Sequence, residues 1–599
     1  MSTRRLEQEF FKGELKGSLV LRLLKLARPH APMLITFMIS ITITALIDSA
    51  NTYMTRYFID DGVMSGDKSK LLHYGFLYAG MFLVNSLNFF IFFTNAGRLG
   101  EKLQYDIRKK LFDHLQTLSF SFFDRTSSGW LLSRITSDSQ RIAQLCSWMF
   151  LDIIWGSVNI IIALTFMATI NLRLTLYVGL TAPILIFTAI AFKRLIITEY
   201  RKVRSMNSQI THAFSETIAG VRVVKAMTRE GRNSTEFRKM AGDMHSASFR
   251  AGWLSALFFP LVQLIVTVGV AAIILAGGWE INIGGLTAGG FRAFIGYITF
   301  MMWPVQDLSR VFSEMQQSVA SAERVFLLLD TKPEISDRPD ALEAARFSGN
   351  IEFRNVDFHY GEGLPVLTGF NLKVKPGEMI ALVGPTGAGK STIVNLVARF
   401  YEPTGGQILF DGRDYRDYTQ QALQTRIGVV LQHPHLFSGT VRENILYGNP
   451  EATEEEILAA VRMAHAEETI LRLPGGFEEP VGEGGGLLSI GQRQLISLAR
   501  VFIARPDLII MDEATSAIDS LTEQHIQKGL VSLLKGRTSF VIAHRLSTIR
   551  EADRILVIEG GKIAEEGSHG ELLRLKKHYY ELYTSQMRQE RESALGLLG

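Results

Sequence analysis

The sequence predicts two halves of different class: an all-α transmembrane half of six long helices with cytoplasmic extensions, then an α/β half built on a phosphate-binding loop. Three observations predict this. Six long apolar segments recur before residue 330. Residues 380–400 pass from a short apolar run through a glycine-rich turn into a helical pattern. A second apolar run, 508–511, ends in the carboxylate pair Asp512 and Glu513.

The apolar segments are 33–54, 73–96, 146–170, 172–192, 253–279 and 284–305. Each reaches or approaches the roughly 20 residues that cross a hydrocarbon core about 30 Å thick. Their connections are unequal in charge. The second and third segments are joined by a stretch carrying Arg98, Lys102, Arg108, Lys109, Lys110, Arg125, Arg134 and Arg141. The fourth and fifth are joined by another, from Lys193 and Arg194 to Arg250. Lys and Arg accumulate on the cytoplasmic side, so both connections and both chain ends are expected in the cytoplasm of a multi-pass cell-membrane protein. Residues 98–118 and 200–244 carry mixed charges at helical spacing and read as spans continuing beyond the bilayer. Before the first span, Val20, Leu23, Leu24 and Ala27 are expected to share the apolar face of an interfacial elbow helix.

Charge inside the spans is sparse: Asp48, Arg56 and Asp152. An ionisable group there is costly, so Asp48 is expected either to meet a partner or to line a wet cavity. The polar stretch 330–349 reads as a linker. The expected organisation is therefore an elbow over 1–30, a membrane domain over 31–329, a linker over 330–349 and a nucleotide domain over 350–599. The polar, charged first residues predict no cleavable secretory signal. A net charge of +4 over 599 residues gives no reason to expect a nucleic-acid partner. The single cysteine, Cys146, excludes an intrachain disulfide framework and any cysteine-cluster metal site.

The turn reads Gly384, Pro385, Thr386, Gly387, Ala388, Gly389, Lys390, Ser391, followed by Thr392. Its order of strand, G-x-x-x-x-G-K-[ST] and helix is that of a nucleotide-binding P-loop. Glycines let successive backbone N–H groups converge on phosphate oxygens, and the helix N-terminus adds its own donors. Lys390 reaches the β- and γ-phosphates, while Ser391 or Thr392 offers a hydroxyl to Mg2+. At the end of its strand Asp512 can hold the Mg2+ shell, and Glu513 can orient the attacking water.

These residues, with Leu488, Ser489, Ile490, Gly491 and Gln492 and with Ala543, His544 and Arg545, resemble the ordered motifs of ATP-binding cassette (ABC) transporter subunits. The resemblance covers nearly the whole chain and is that of an exporter-type half-transporter. Residues 122–138 and 214–230 resemble its cytoplasmic coupling segments, and Ser321, Ala322, Glu323 and Arg324 its exit from the sixth span. It implies ATP and Mg2+ as ligands. It implies that Tyr360 stacks on adenine, although a strand aromatic also serves ordinary packing. Gln432 would contact Mg2+ or the attacking water, Asp519 belongs to an inter-subunit loop, and His544 would meet the γ-phosphate. Ser489, Gly491 and Gln492 would close over ATP held by a second subunit.

One departure stands out: the usual signature is Leu-Ser-Gly-Gly-Gln, and here Ile490 takes the third position. The family pattern then implies a heterodimer. This chain supplies Glu513 and His544, and a different half-transporter brings an intact signature with a degenerate catalytic site. A homodimeric exporter or lipid flippase, and a non-pumping ATP-gated membrane protein, are the alternatives. The expected activity is ATP-driven export of a small hydrophobic or amphipathic substrate across the cytoplasmic membrane by alternating access, with membrane lipid as the surrounding partner. The Phe-rich segments, Phe89, Phe90, Phe92 and Phe93 among them, suit such a substrate and suit lipid contact equally.

Overall fold

The computed structural model describes residues 17–343, 346–512, 520–543 and 546–594. It divides into two compact units: one runs up to Gln116 and resumes over Ser128–Thr331, and the other joins Thr117–Ser127 to the chain from Lys332 onward.

The first unit is helical. Its long runs are Leu21–Val63, Lys68–Thr117, Ser128–Ile170, Leu172–Ala219, Glu230–Asn282 and Ala288–Asp330. Among the described residues, four of them (the first, second, third and fifth) are long and apolar enough to cross a bilayer. The fourth and sixth contain 48 and 43 residues and coincide with the remaining apolar segments. Sharp turns separate the helices. Asn171 alone divides the third run from the fourth: its backbone is extended, and its side chain accepts the Leu174 N–H at 3.1 Å, capping the helix that follows.

The helix Lys68–Thr117 serves two environments. Near its start it exposes Phe76, Phe82, Leu83, Leu87 and Phe90, as a lipid-facing span does. Further on it buries Ala96, Leu99, Leu103, Ile107, Leu111 and Leu115, three or four residues apart, with Lys102, Lys109 and Lys110 outward. That is one apolar stripe of an amphipathic extension.

Polar groups inside the unit find partners. Asp48 accepts from Asn85 at 2.9 Å, and Asn88 donates to the Ser40 carbonyl and the Thr44 hydroxyl at 2.9 and 2.8 Å. Of the two roles expected for Asp48, the partnered one is realised. Asp138, at the end of the first coupling stretch, is buried and accepts from Ser321 at 2.8 Å, Arg324 at 2.7 Å and Arg134 at 2.9 Å. Two stretches nearly 200 residues apart, both singled out in sequence, thus meet at one carboxylate. The elbow helix Gly17–Ala27 buries Leu19, Leu23, Leu26 and Ala27 against its own unit and leaves the apolar Leu21 and Leu24 more than half exposed.

The second unit is an α/β domain with two sheets. Its strands are β1 (Ile351–His359), β2 (Pro365–Val374), β3 (Met379–Val383), β4 (Gly405–Phe410), β5 (Arg413–Asp414), β6 (Ile427–Val430), β7 (Leu508–Asp512), β8 (Thr538–Ile542), β9 (Arg554–Glu559) and β10 (Lys562–Gly567). One sheet is antiparallel in the order β2-β1-β4-β5; the other runs β10-β9-β3-β8-β7-β6, parallel except at the β10 edge. β3 and β8 are buried along their whole length, as near-continuous apolar runs require when a sheet is covered on both faces.

The stretch expected as a linker is strapped to this domain. Asp337 accepts the Gln420 N–H at 2.8 Å, and Arg338 pairs with Asp417. The Leu342 N–H meets the Asp417 carbonyl at 2.8 Å, and the Thr419 N–H meets the Leu342 carbonyl at 3.0 Å.

Candidate functional site

Parallel register brings the phosphate loop and the acidic strand end to one edge of the larger sheet. Leu382 of β3 lies beside Ile542 of β8, Ile542 beside Asp512 of β7, and Val430 of β6 beside Met511. The loop after Val383, Gln432 and Asp512 therefore leave the carboxyl ends of neighbouring strands, where open α/β sheets bind ligands.

The loop's shape depends on glycine. Gly384 has φ 148°, and a Cβ there would stand 2.2 Å from the Ile558 carbonyl oxygen. Gly389 has φ 105° and caps the helix Lys390–Val397. The Ala388 N–H donates to the Pro385 carbonyl at 3.2 Å, tightening the turn. Lys390 folds back over the loop, its ammonium donating to the carbonyls of Gly384 at 2.7 Å and Pro385 at 2.9 Å. Burial holds its pKa below the ordinary lysine value, and the nearby charge of Asp512 opposes that shift. An ammonium over a nest of backbone amides, with a carboxylate close by, is an arrangement for binding phosphates with a cation.

The two hydroxyls after Lys390 differ. Thr392 is buried and pairs with the Tyr360 hydroxyl at 3.1 Å, whereas Ser391 is exposed. Ser391 is the hydroxyl available to a metal. With Gln432 and Asp512 it forms an oxygen-only donor set, which suits Mg2+. Among the described residues no cluster of three His, Cys, Asp or Glu side chains could hold an ion by itself.

Tyr360 follows β1 and is 37% exposed, with its ring edge-on to Phe358 and Tyr401 at 4.8 and 5.0 Å. It is packed on one side and open on the other, as a base-stacking aromatic must be. Ser489 caps the helix Ile490–Ala504 in a reciprocal box: its hydroxyl accepts the Gln492 N–H at 3.2 Å, and the Gln492 side chain accepts the Ser489 N–H at 2.8 Å. Gly491 is buried beneath. Ile490 lies in the first helical turn with no positive φ and a side chain 42% exposed. Isoleucine therefore costs no backbone strain here; its effect is bulk at the helix N-terminus. Glu513, Asp519 and His544 lie outside the described residues.

Sequence reading missed the groups around Tyr401. The short helix Phe120–Arg125 packs within the second unit, Phe120 stacked on Phe400 at 5.0 Å. Tyr401 donates to Asp124, and burial together with that carboxylate pushes the phenol's pKa up. Its buried ring also touches Tyr360. The only signal in sequence was the resemblance of 122–138 to a coupling segment, which does not name the contact.

Comparison with known proteins agrees with this geometry. The family model "ABC transporter transmembrane region" matches residues 34–305, and the model "ABC transporter" matches 367–516. An ATP-dependent lipid A-core flippase of Desulfotalea psychrophila is 38% identical over 558 residues, 93% of this chain and 97% of that protein. A fatty acid ABC transporter ATP-binding/permease protein of Mycobacterium tuberculosis is 40% identical over 486 residues, 80% of this chain and 76% of that protein. Among solved structures, a bacterial Atm1-family ABC exporter with ATP bound superposes with a TM-score of 0.75 at 28% identity, covering 92% of this chain and 98% of that one. With a helical membrane region and an ATP-hydrolysing domain fused in one polypeptide, this chain belongs to the ABC transporter family, whose ATPase activity is coupled to transport.

Proposed function

We propose that this chain is one half of a dimeric exporter that moves a hydrophobic or amphipathic substrate across the cytoplasmic membrane by alternating access. The carrying observation is the Phe120–Arg125 helix: it interrupts the membrane half in sequence yet packs within the nucleotide-binding unit against Phe400 and Tyr401. An ATPase whose nucleotide-binding unit incorporates a short helix from between two membrane-half helices is arranged to convert nucleotide occupancy into helix movement. The proposed organisation keeps the membrane domain at 31–329, the strapped linker at 330–349 and the nucleotide domain at 350–599.

Within the site, Lys390 and the backbone of residues 384–391 would bind the phosphates, Tyr360 the adenine, and Glu513 would orient water with His544 at the γ-phosphate. Ser391, Gln432 and Asp512 would hold Mg2+, which supplies charge neutralisation on the β- and γ-phosphates. An amphipathic cargo is supported by a cavity of about 370 Å³ in the membrane unit, whose lining mixes the apolar Trp148 and Met149 with the polar or charged Arg141, Gln144, Glu314, Gln317 and Ser318. Two relatives are named for lipid A-core and fatty acid, both amphipathic.

The second subunit is proposed to be a different half-transporter whose intact signature closes over this chain's ATP. Ile490, exposed at the signature helix N-terminus, supports that reading. Its unstrained φ favours the homodimer instead, because the substitution then costs no backbone energy. Expression of the chain alone separates the two. Activity that requires a second half-transporter is expected; a stable homodimer with substrate-stimulated ATPase would replace the heterodimer.

A further inference from the structure

We propose that Glu334 is a positioning residue of the transport cycle, holding the Phe120–Arg125 helix in the one setting through which the nucleotide site drives the membrane helices. A helix of six residues has no stability of its own, so its contacts decide where it sits. On one side those contacts are Phe400 and Tyr401. On the other they come from the stretch after the last membrane helix. The Glu334 carboxylate accepts from the Ser121 hydroxyl at 2.6 Å and from Arg125 at 3.3 Å, so a single side chain grips two successive turns. The next residue, Ile335, donates its N–H to the Ser119 hydroxyl at 2.9 Å, where both groups are buried. A few residues on, Asp337, Arg338 and Leu342 are fixed to 417–420.

The far end of the same helix reaches the adenine side. A Cβ on Gly361, next to Tyr360, would lie 3.6 Å from the Arg125 guanidinium. Glu334 therefore orients an arginine that rests on the turn beside the base platform. The Arg125 and Glu334 side chains are 41% and 57% exposed, and an exposed ion pair adds little stability. The buried Ser121 hydroxyl bound to the same carboxylate gives the contact its geometry. The role is one of register rather than of holding the fold.

This inference rests on ATP driving the helices, and its test reads the two steps separately. Hydrogen exchange would be followed on the full-length chain in phosphatidylethanolamine–phosphatidylglycerol nanodiscs, with and without a non-hydrolysable ATP analogue and Mg2+. In the wild type the analogue is expected to slow exchange at both 384–392 and 117–127, the latter at least fivefold. In Glu334→Ala, protection of 384–392 should appear at an analogue concentration within twofold of wild type, while the response of 117–127 falls below twofold. Glu334→Gln, which keeps an acceptor for Ser121, should recover at least half of it. A wild-type response of 117–127 in Glu334→Ala overturns the proposal. Loss of protection at 384–392 in both variants overturns it too, since Glu334 would then be supporting the fold. No protection of 384–392 in the wild type would instead defeat the nucleotide reading itself.

Discussion

Replacing Gly384 by alanine tests the phosphate loop at its tightest point. The residue sits at φ 148°, and the added Cβ would meet the Ile558 carbonyl oxygen at 2.2 Å, well inside the 3.0 Å that real Cβ atoms respect. That oxygen belongs to β9, which is paired on both edges, so the obstacle is backbone that cannot rotate away. Overpacking costs about 1–3 kcal/mol, and a side chain held in this region of φ costs about as much again. A total of about 2–6 kcal/mol follows. If the loop gives way rather than the strand, at least about 2 kcal/mol is taken from phosphate binding, roughly 30-fold in affinity. Titration calorimetry with ATP reads this directly. Gly387→Ala is the control: its φ is 83°, but nothing lies within 4 Å of the new Cβ, so only the conformational cost remains. Should Gly384→Ala bind ATP within threefold of wild type, the close approach to β9 does not exist in the working protein.

Two further substitutions separate binding from architecture. Ser391→Ala removes the exposed hydroxyl and is expected to lower Mg2+-dependent ATPase at least about 100-fold, the scale of losing one transition-state contact. Thr392→Val breaks only the hydrogen bond to Tyr360, a loss of about 0.5–1.5 kcal/mol, and should leave activity within about tenfold; reversed magnitudes in a coupled-enzyme assay would exchange the two roles. Leu103→Ala truncates a side chain that is 1% exposed in the amphipathic extension of the Lys68–Thr117 helix. It should cost about 2–5 kcal/mol, seen as a lower unfolding temperature by intrinsic fluorescence, and an unchanged midpoint would mean the extension is not packed.

What could be read from sequence was whatever is encoded locally. The P-loop is contiguous, the run ending at Asp512 is a buried strand by composition, and the stripe from Leu99 to Leu115 follows helical spacing. What could not be read depends on contacts between distant residues. Nothing near Glu334 announces Ser121, 213 positions away, and nothing near Asp124 announces Tyr401, 277 away. The polarity of 330–349 marks a linker but does not say where it lies; its polar side chains and backbone strap it to 417–420. The elbow helix carries apolar residues on two faces, and only packing tells that Leu19, Leu23 and Leu26 are the buried ones.

ATP-driven movement of an amphipath is tested most directly in proteoliposomes holding the full-length chain with its partner subunit and a fluorescent phosphatidylethanolamine as probe. Translocation of the probe should require ATP and Mg2+, and it should stop in Glu513→Gln while ATP still binds. Movement that continues down its gradient in Glu513→Gln, or that proceeds equally without ATP, would contradict a pump and leave an ATP-gated passage in its place.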